Sequence, residues 1–141
     1  MLPKIISLIA IVALLLWMFF FVAGGLPLLI LKHDTPSDSK FVRGFFDVHY
    51  LVLVGIAAVG VMSSVLSDHR ILAIFMASIG LIGFTARRAI VSRMDQLRVT
   101  MSATDTLAIR RFRWLHAAGL VLNVFLLVGL VSALILSPPE M

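Results

Sequence analysis

From Ile5 to Leu31 the chain runs for 27 residues without a charged side chain. A membrane-crossing helix needs about 20 predominantly apolar residues, so this one run is long enough to cross a bilayer. Three further apolar stretches follow, Tyr50 to Ser67, Ile71 to Ala86 and Ala117 to Leu136. In hydrocarbon every backbone donor and acceptor must be satisfied inside the protein, which leaves helices or closed barrels. Barrel strands alternate apolar and polar residues, and no such alternation is present here. The chain is 61% hydrophobic and only 13% charged, more apolar surface than a 141-residue domain can bury, so lipid must cover the surplus. The expected fold class is therefore an all-α integral membrane protein. It is one domain, residues 1–141, with four transmembrane helices in a bundle, spans at about 5–31, 48–67, 71–90 and 115–136.

The first run could instead be a secretory signal peptide with Lys4 as its charged region. Its length argues against this, since such an apolar core spans roughly 7–15 residues. Trp17, Phe19, Phe20 and Phe21 also occupy positions where a cleavage region needs small residues. Gly24, Gly25 and Pro27 predict a kink or early end near Gly24, because proline removes a donor and crowds the preceding turn. Asp34-Thr35-Pro36-Ser37 reads as a loop, with Ser37 or Asp38 capping a helix that carries Phe41, Phe45 and Phe46 toward the second span.

The third span is short, and Arg87 and Arg88 at its end can snorkel. Ile90, Met94, Leu97 and Met101 recur on one helical face while Arg93, Asp95 and Arg98 fall off it. This predicts an amphipathic helical cytoplasmic extension between the third and fourth spans. Ser102 or Thr104 with Asp105 then resembles a new N-cap, opening a helix through Arg110, Arg111 and Arg113. A positive balance of +5 in so apolar a chain implies topology and anionic lipid rather than nucleic acid. Of the 12 Lys and Arg residues, only Lys4 and Arg70 lie on one side. Lys32, Lys40, Arg43, Arg87, Arg88, Arg93, Arg98, Arg110, Arg111 and Arg113 lie on the other. Positive loops stay cytoplasmic, so both termini are expected outside, with a tight external turn Ser67-Asp68-His69-Arg70. Arg87, Arg88, Arg93, Arg98, Arg110, Arg111 and Arg113 are expected at the level of anionic lipid headgroups.

Little here can perform chemistry. The absence of cysteine removes disulfides, thiolate metal sites and thiol nucleophiles. No metalloprotease, phosphate-loop, nucleophile-elbow or dinucleotide motif occurs. Glu140 is the only glutamate, so paired-carboxylate chemistry inside the membrane has no candidates, and no catalytic residue is predicted. His33 and His69 read as loop histidines. His49 and His116 begin the second and fourth spans at the same membrane boundary, and His116 and Asn123 share a helix face. An amide at membrane depth is costly unless partnered, so Asn123 should face the bundle. Asp47, His49, Arg87, Arg88, His116 and Asn123 then form a polar pocket at the cytoplasmic mouth, or simply fix the packing through interhelical hydrogen bonds. His49 and His116 are also candidate ligands of a haem b; a metal site lacks further ligands at useful spacing.

The segment Arg111-Phe112-x-x-x-His116-x-x-x-Leu120-x-x-Asn123 resembles the last helix of bacterial membrane proteins with domain of unknown function 4149, related to eukaryotic transmembrane protein 205. Trp17 to Gly25 and Phe45-Phe46-x-x-His49-Tyr50 are weaker echoes, with Asp47 where the family tends to have proline. The resemblance implies a four-helix fold and little about activity. A small four-helix protoporphyrinogen oxidase would want a histidine in the first helix, and none is present. Three functions remain. The first is a non-catalytic accessory or scaffolding subunit packing against other membrane protein subunits. It draws on the small residues Ala73, Ala77, Gly80 and Gly83 of the third span and Gly55, Ala58 and Gly60 of the second. The second is a haem or quinone redox protein using His49 and His116. The third is a small-molecule carrier that uses the polar pocket with Ser63, Ser64, Ser78 and Ser132.

Overall fold

The computed structural model describes residues 1–30, 35–100, 102 and 104–136. The described residues form an all-α bundle: α1 (Leu2–Leu28), α2 (Pro36–Leu66), α3 (Arg70–Ala86), a π-helical turn (Arg87–Val91), α4 (Ser92–Thr100) and α5 (Thr106–Leu136). Four helices are long and apolar enough to cross a membrane: α1, α2, α3 with its continuation to Val99, and α5. Their outward faces carry Ile9, Leu16, Phe19, Phe20, Leu51, Ile74, Leu81 and Phe125, as lipid requires. The chain is an all-α membrane bundle of four helices.

The helices extend beyond the stretches that hydropathy marks. Thr35 caps α2 by accepting from Asp38 N at 3.2 Å, with Pro36 at the first position, so the cap lies upstream of both Ser37 and Asp38. Asp105 caps α5, its Oδ1 accepting from Ala108 N at 3.0 Å. The helix does not end early near Gly24: α1 continues to Leu28 with Pro27 inside. The proline costs one donor, and Leu29 N turns to Leu26 O at 3.1 Å just beyond it, so the disruption is taken at the end of the helix. Gly24 and Gly25 serve packing instead, because a Cβ at Gly25 would collide with Leu120. Lys32, His33, Asp34, Met101, Glu140 and the Ser137-Pro138-Pro139 tail lie outside the described residues.

Neighbouring helices run antiparallel. Ser7 meets Ser64 and Phe21 meets Phe45 across α1 and α2, while Gly60 meets Met76 and Gly83 meets Leu53 across α2 and α3. Met18 and Asn123 pair across α1 and α5. The start of α1, the turn Ser67–His69 and the end of α5 therefore share one end of the bundle, and the arginine-rich segments share the other. Two apolar clusters fill the interior. One lies toward the arginine end around Phe21, Phe46, Tyr50, Met94 and Phe112. The other lies toward the opposite end around Ile11, Leu14, Met18, Leu53, Met76 and Leu130. Ile90, Val91 and Met94 of the extension are buried while Arg93 and Gln96 are exposed, so its inward face closes the first cluster.

Candidate functional site

Between the two apolar clusters lies a buried polar belt. Asn123 is fully buried on α5, one turn from Leu120 in one cluster and one turn from Leu126 in the other. Its Nδ2 donates to Met18 O at 3.0 Å. That bond orients the amide so that Oδ1 points at His49 Nε2, 3.0 Å away. Oδ1 can only accept, so Nε2 must carry the proton and donate. In the neutral ring Nδ1 is then a bare acceptor. It is buried and has no partner among the described residues, and neither has the hydroxyl of Tyr50.

The belt is held by aromatic faces. Phe21 stacks on the His49 ring with centroids 3.6 Å apart and planes 18° apart, and Trp17 lies nearly parallel at 6.1 Å. Trp17 Nε1 also donates to His49 O at 3.1 Å. His116 is fully buried one helical turn above Gly119, and its ring meets Phe46 edge to face at 5.3 Å. The aromatic run of the first span thus supplies the walls of the belt as well as lipid-facing bulk. Three helices meet in it, α1, α2 and α5.

The charged residues of the expected pocket lie elsewhere. Asp47 and His49 are two residues apart on α2, about 200° around the helix axis. Asp47 therefore faces the extension rather than Asn123. Its Oδ1 accepts from Arg87 Nε at 2.8 Å and its Oδ2 from Arg43 NH1 at 3.1 Å. Arg43 in turn grips Asp95 of α4 with two bonds of 2.8 Å, and Arg98 reaches Asp95 at 3.5 Å. Charges of alternating sign, Arg87, Asp47, Arg43, Asp95 and Arg98, thus tie α2 to the π turn and α4. The paired side chains are 25–42% exposed, so solvent screening keeps each pair near 1 kcal/mol or less, about the value of a surface ion pair. The two-pronged Arg43–Asp95 contact adds directional hold. Arg88, the remaining member of the expected pocket, is turned outward with its guanidinium 5.6 Å from the Phe84 ring centroid. Adjacent helical residues diverge by about 100°, so Arg87 and Arg88 cannot share a target.

Sequence reasoning therefore joins six residues that the fold separates into the belt, the Asp47–Arg87 pair and the outward Arg88, and it misses Trp17, Tyr50, Arg43 and Asp95. The pair Arg43–Asp47 carries an i,i+4 signal, but Arg43 and Asp95 are 52 residues apart and no local pattern links them. The serines expected to line a polar lane are engaged within the bundle's own helices or sit on its surface. Ser63 Oγ donates to Gly60 O at 3.1 Å, Ser78 Oγ to Ile74 O at 2.9 Å, and Ser64 pairs with Ser7 at 2.9 Å. Ser132 is exposed.

Haem ligation by His49 through Nε2 would require giving up Asn123 and reversing the tautomer. Among the described residues no group of three His, Asp or Glu side chains converges as a metal site requires. No family model, curated protein or solved structure matches the chain.

Proposed function

We propose that this chain is a non-catalytic accessory subunit of a membrane protein complex. The observation that carries the reading is the outer face of α2. Gly60 of the small-residue stripe turns inward against Met76, and Gly80 and Gly83 of α3 turn inward against Ala57 and Leu53. Beyond its own helical turn, Gly55 has no heavy atom of the described residues within 4 Å of where its Cβ would stand, and Ala58 beside it is exposed. With Leu51, Val59 and Met62 they form a shallow apolar notch that the bundle's own helices leave unfilled. Small residues let a second helix approach closely, an advantage that fluid acyl chains do not use. The polar groups support the same reading, because His49, Asn123, Asp47 and Arg87 are spent on internal ties. The resemblance over Arg111 to Asn123 is compatible with it and adds no activity.

The test is site-specific photo-cross-linking from Leu51 or Met62 in native membranes, with mass spectrometry of the larger band. A discrete band that Gly55→Leu abolishes, while the purified bundle keeps its thermal stability, is the expected result. A chain that cross-links to nothing, or equally well with leucine at position 55, removes the subunit reading.

We also propose the cytoplasmic membrane of a bacterium as its location, with the arginine end cytoplasmic and both termini outside. The resemblance over Arg111 to Asn123 suggests the bacterial membrane, and the ten-to-two distribution of Lys and Arg supports the orientation. A reporter active only outside the cytoplasm, fused after Met141, should be active; activity of a cytoplasm-only reporter at that position would reverse the orientation.

One observation favours a second reading, redox chemistry in the aromatic belt. The bare Nδ1 of His49 and the Tyr50 hydroxyl are a buried acceptor and a buried donor without partners among the described residues. A quinol hydroxyl could donate to the first and a quinone carbonyl accept from the second. A visible spectrum of the purified protein, with a solvent extract analysed for quinone, separates haem and quinone from the accessory role.

A further inference from the structure

The arginines between Arg87 and Arg113 fall into two groups. Arg87 and Arg98 are paired with Asp47 and Asp95, and Arg88 lies over Phe84. Arg93, Arg110, Arg111 and Arg113 are exposed, and none forms an ion pair with a described residue. Three of these four are on the first two turns of α5, where the helix emerges from its apolar length. Arg110, Trp114 and Ala118 recur at i, i+4 and i+8 and form one ridge. A groove runs along each side of it. The smaller, about 660 Å³, has Leu97 and Leu115 in its wall and Arg93 and Arg111 at its rim. The larger, about 1020 Å³, has Arg110 and Arg113 at its rim and descends along Val121, Leu122 and Phe125.

Each groove begins at guanidinium groups and continues onto apolar side chains. That order of polarity matches an anionic phospholipid read from headgroup to acyl chain. Arginine is suited to it, since its planar fork binds phosphate oxygens in pairs and stays charged. Trp114 is 69% exposed between the two grooves, in the position of an interfacial anchor with one apolar and one polar edge. The geometry points to a binding site for an anionic diacyl glycerophospholipid, with its phosphate between Arg110 and Arg113 and an acyl chain in the larger groove against Val121 and Phe125. This site is independent of the subunit face on α2.

The sequence contains two tryptophans, Trp17 and Trp114. The full chain with Trp17→Phe then reports from Trp114 alone. It is reconstituted in phosphatidylcholine vesicles holding a minor, fixed fraction of phosphatidylglycerol. The bromine label is placed on the acyl chains either of the phosphatidylglycerol or of an equal fraction of the phosphatidylcholine. Each arginine near an anionic surface enriches the lipid about fivefold, so brominated phosphatidylglycerol should quench Trp114 several times more strongly. R110Q/R113Q should bring the two labels to equality, while R110K/R113K and R70Q at the opposite end should keep the preference. Equal quenching in the parent chain overturns the site, as does a preference that survives R110Q/R113Q or that R70Q removes. If the Trp17→Phe chain does not fold, the same quantity is read as the difference between the natural chain and W114F.

Discussion

Replacing Asn123 with leucine is expected to cost about 1–3 kcal/mol of bundle stability, the penalty for leaving a buried donor without its acceptor. The substitution removes two interhelical hydrogen bonds at once, to Met18 O and to His49 Nε2. Met18 O lies within α1 and keeps its helical partner, so its share of the loss is small. His49 Nε2 is different: the residue is 1% exposed, and Asn123 Oδ1 is its one acceptor among the described residues. The cost then resides in the histidine, which a cycle can isolate. His49→Phe keeps the stack on Phe21 and removes the donor. The double variant H49F/N123L should therefore be more stable than the sum of the single losses implies, because deleting both members of a buried pair leaves nothing unsatisfied. Leu122→Ala on the half-buried neighbouring position should cost less than Asn123→Leu. Thermal or denaturant unfolding in a single detergent measures all four. Strict additivity of the two substitutions, or an Asn123→Leu bundle as stable as the parent, would mean that the belt does not hold the helices.

That belt shows how far the sequence is readable. Asn123 had to face inward because an amide has no partner in hydrocarbon, and His116, two turns before it, shares its face. Both are buried. The partner of Asn123 was harder to identify. Hydropathy marks where a span begins but not how deep a histidine sits within it, and α2 begins at Pro36, well before the apolar stretch. Helical angle carries more information here than hydropathy does. Asp47 and His49 are on different faces by about 200°, and Arg87 and Arg88 by about 100°, so one pocket could not hold all four. The π turn at Arg87–Val91 has no comparable signature, since one extra residue in a helical turn leaves hydropathy unchanged. Its consequence is local: it lies where Arg87 reaches Asp47 and where the continuation begins to pack against α2 and α5.

Small residues were legible as sites of close approach but not by destination. In α2 the stripe Gly55, Ala58 and Gly60 divides, with Gly60 against Met76 and Gly55 open. Successive positions of a helix point in different directions, so a stripe defined by composition need not be a stripe in space. The side that is filled stabilises this chain, and the side that is open is available to another.

The largest single-residue effect should follow from Gly119, which lies between His116 and Asn123 on α5. A Cβ there would collide with the ring of Phe46. Phe46 cannot withdraw easily, because it is fully buried with Phe21 edge-on at 4.9 Å, Tyr50 at 6.2 Å and His116 at 5.3 Å. Gly119→Ala is therefore expected to destabilise the bundle by about 1–3 kcal/mol, the usual cost of forcing a methyl group into a packed core. Gly119→Leu should exceed this and prevent assembly of α5 against α2. Helix propensity pulls the other way, favouring alanine over glycine by roughly 0.5–1 kcal/mol, so the net sign tests whether close packing dominates. Gly55→Ala supplies the propensity term alone, since nothing lies within 4 Å of its Cβ, and should raise the stability of the isolated chain. Gly83→Ala should fall between, because the obstructing group is the end methyl of the Leu53 side chain rather than an aromatic ring held by three others. The expected order of unfolding temperature is Gly55→Ala above the parent, then Gly83→Ala, then Gly119→Ala. If Gly119→Ala matched Gly55→Ala, Phe46 would have room to move, and the contact of α5 with α2 beside the polar belt would be loose rather than interlocked.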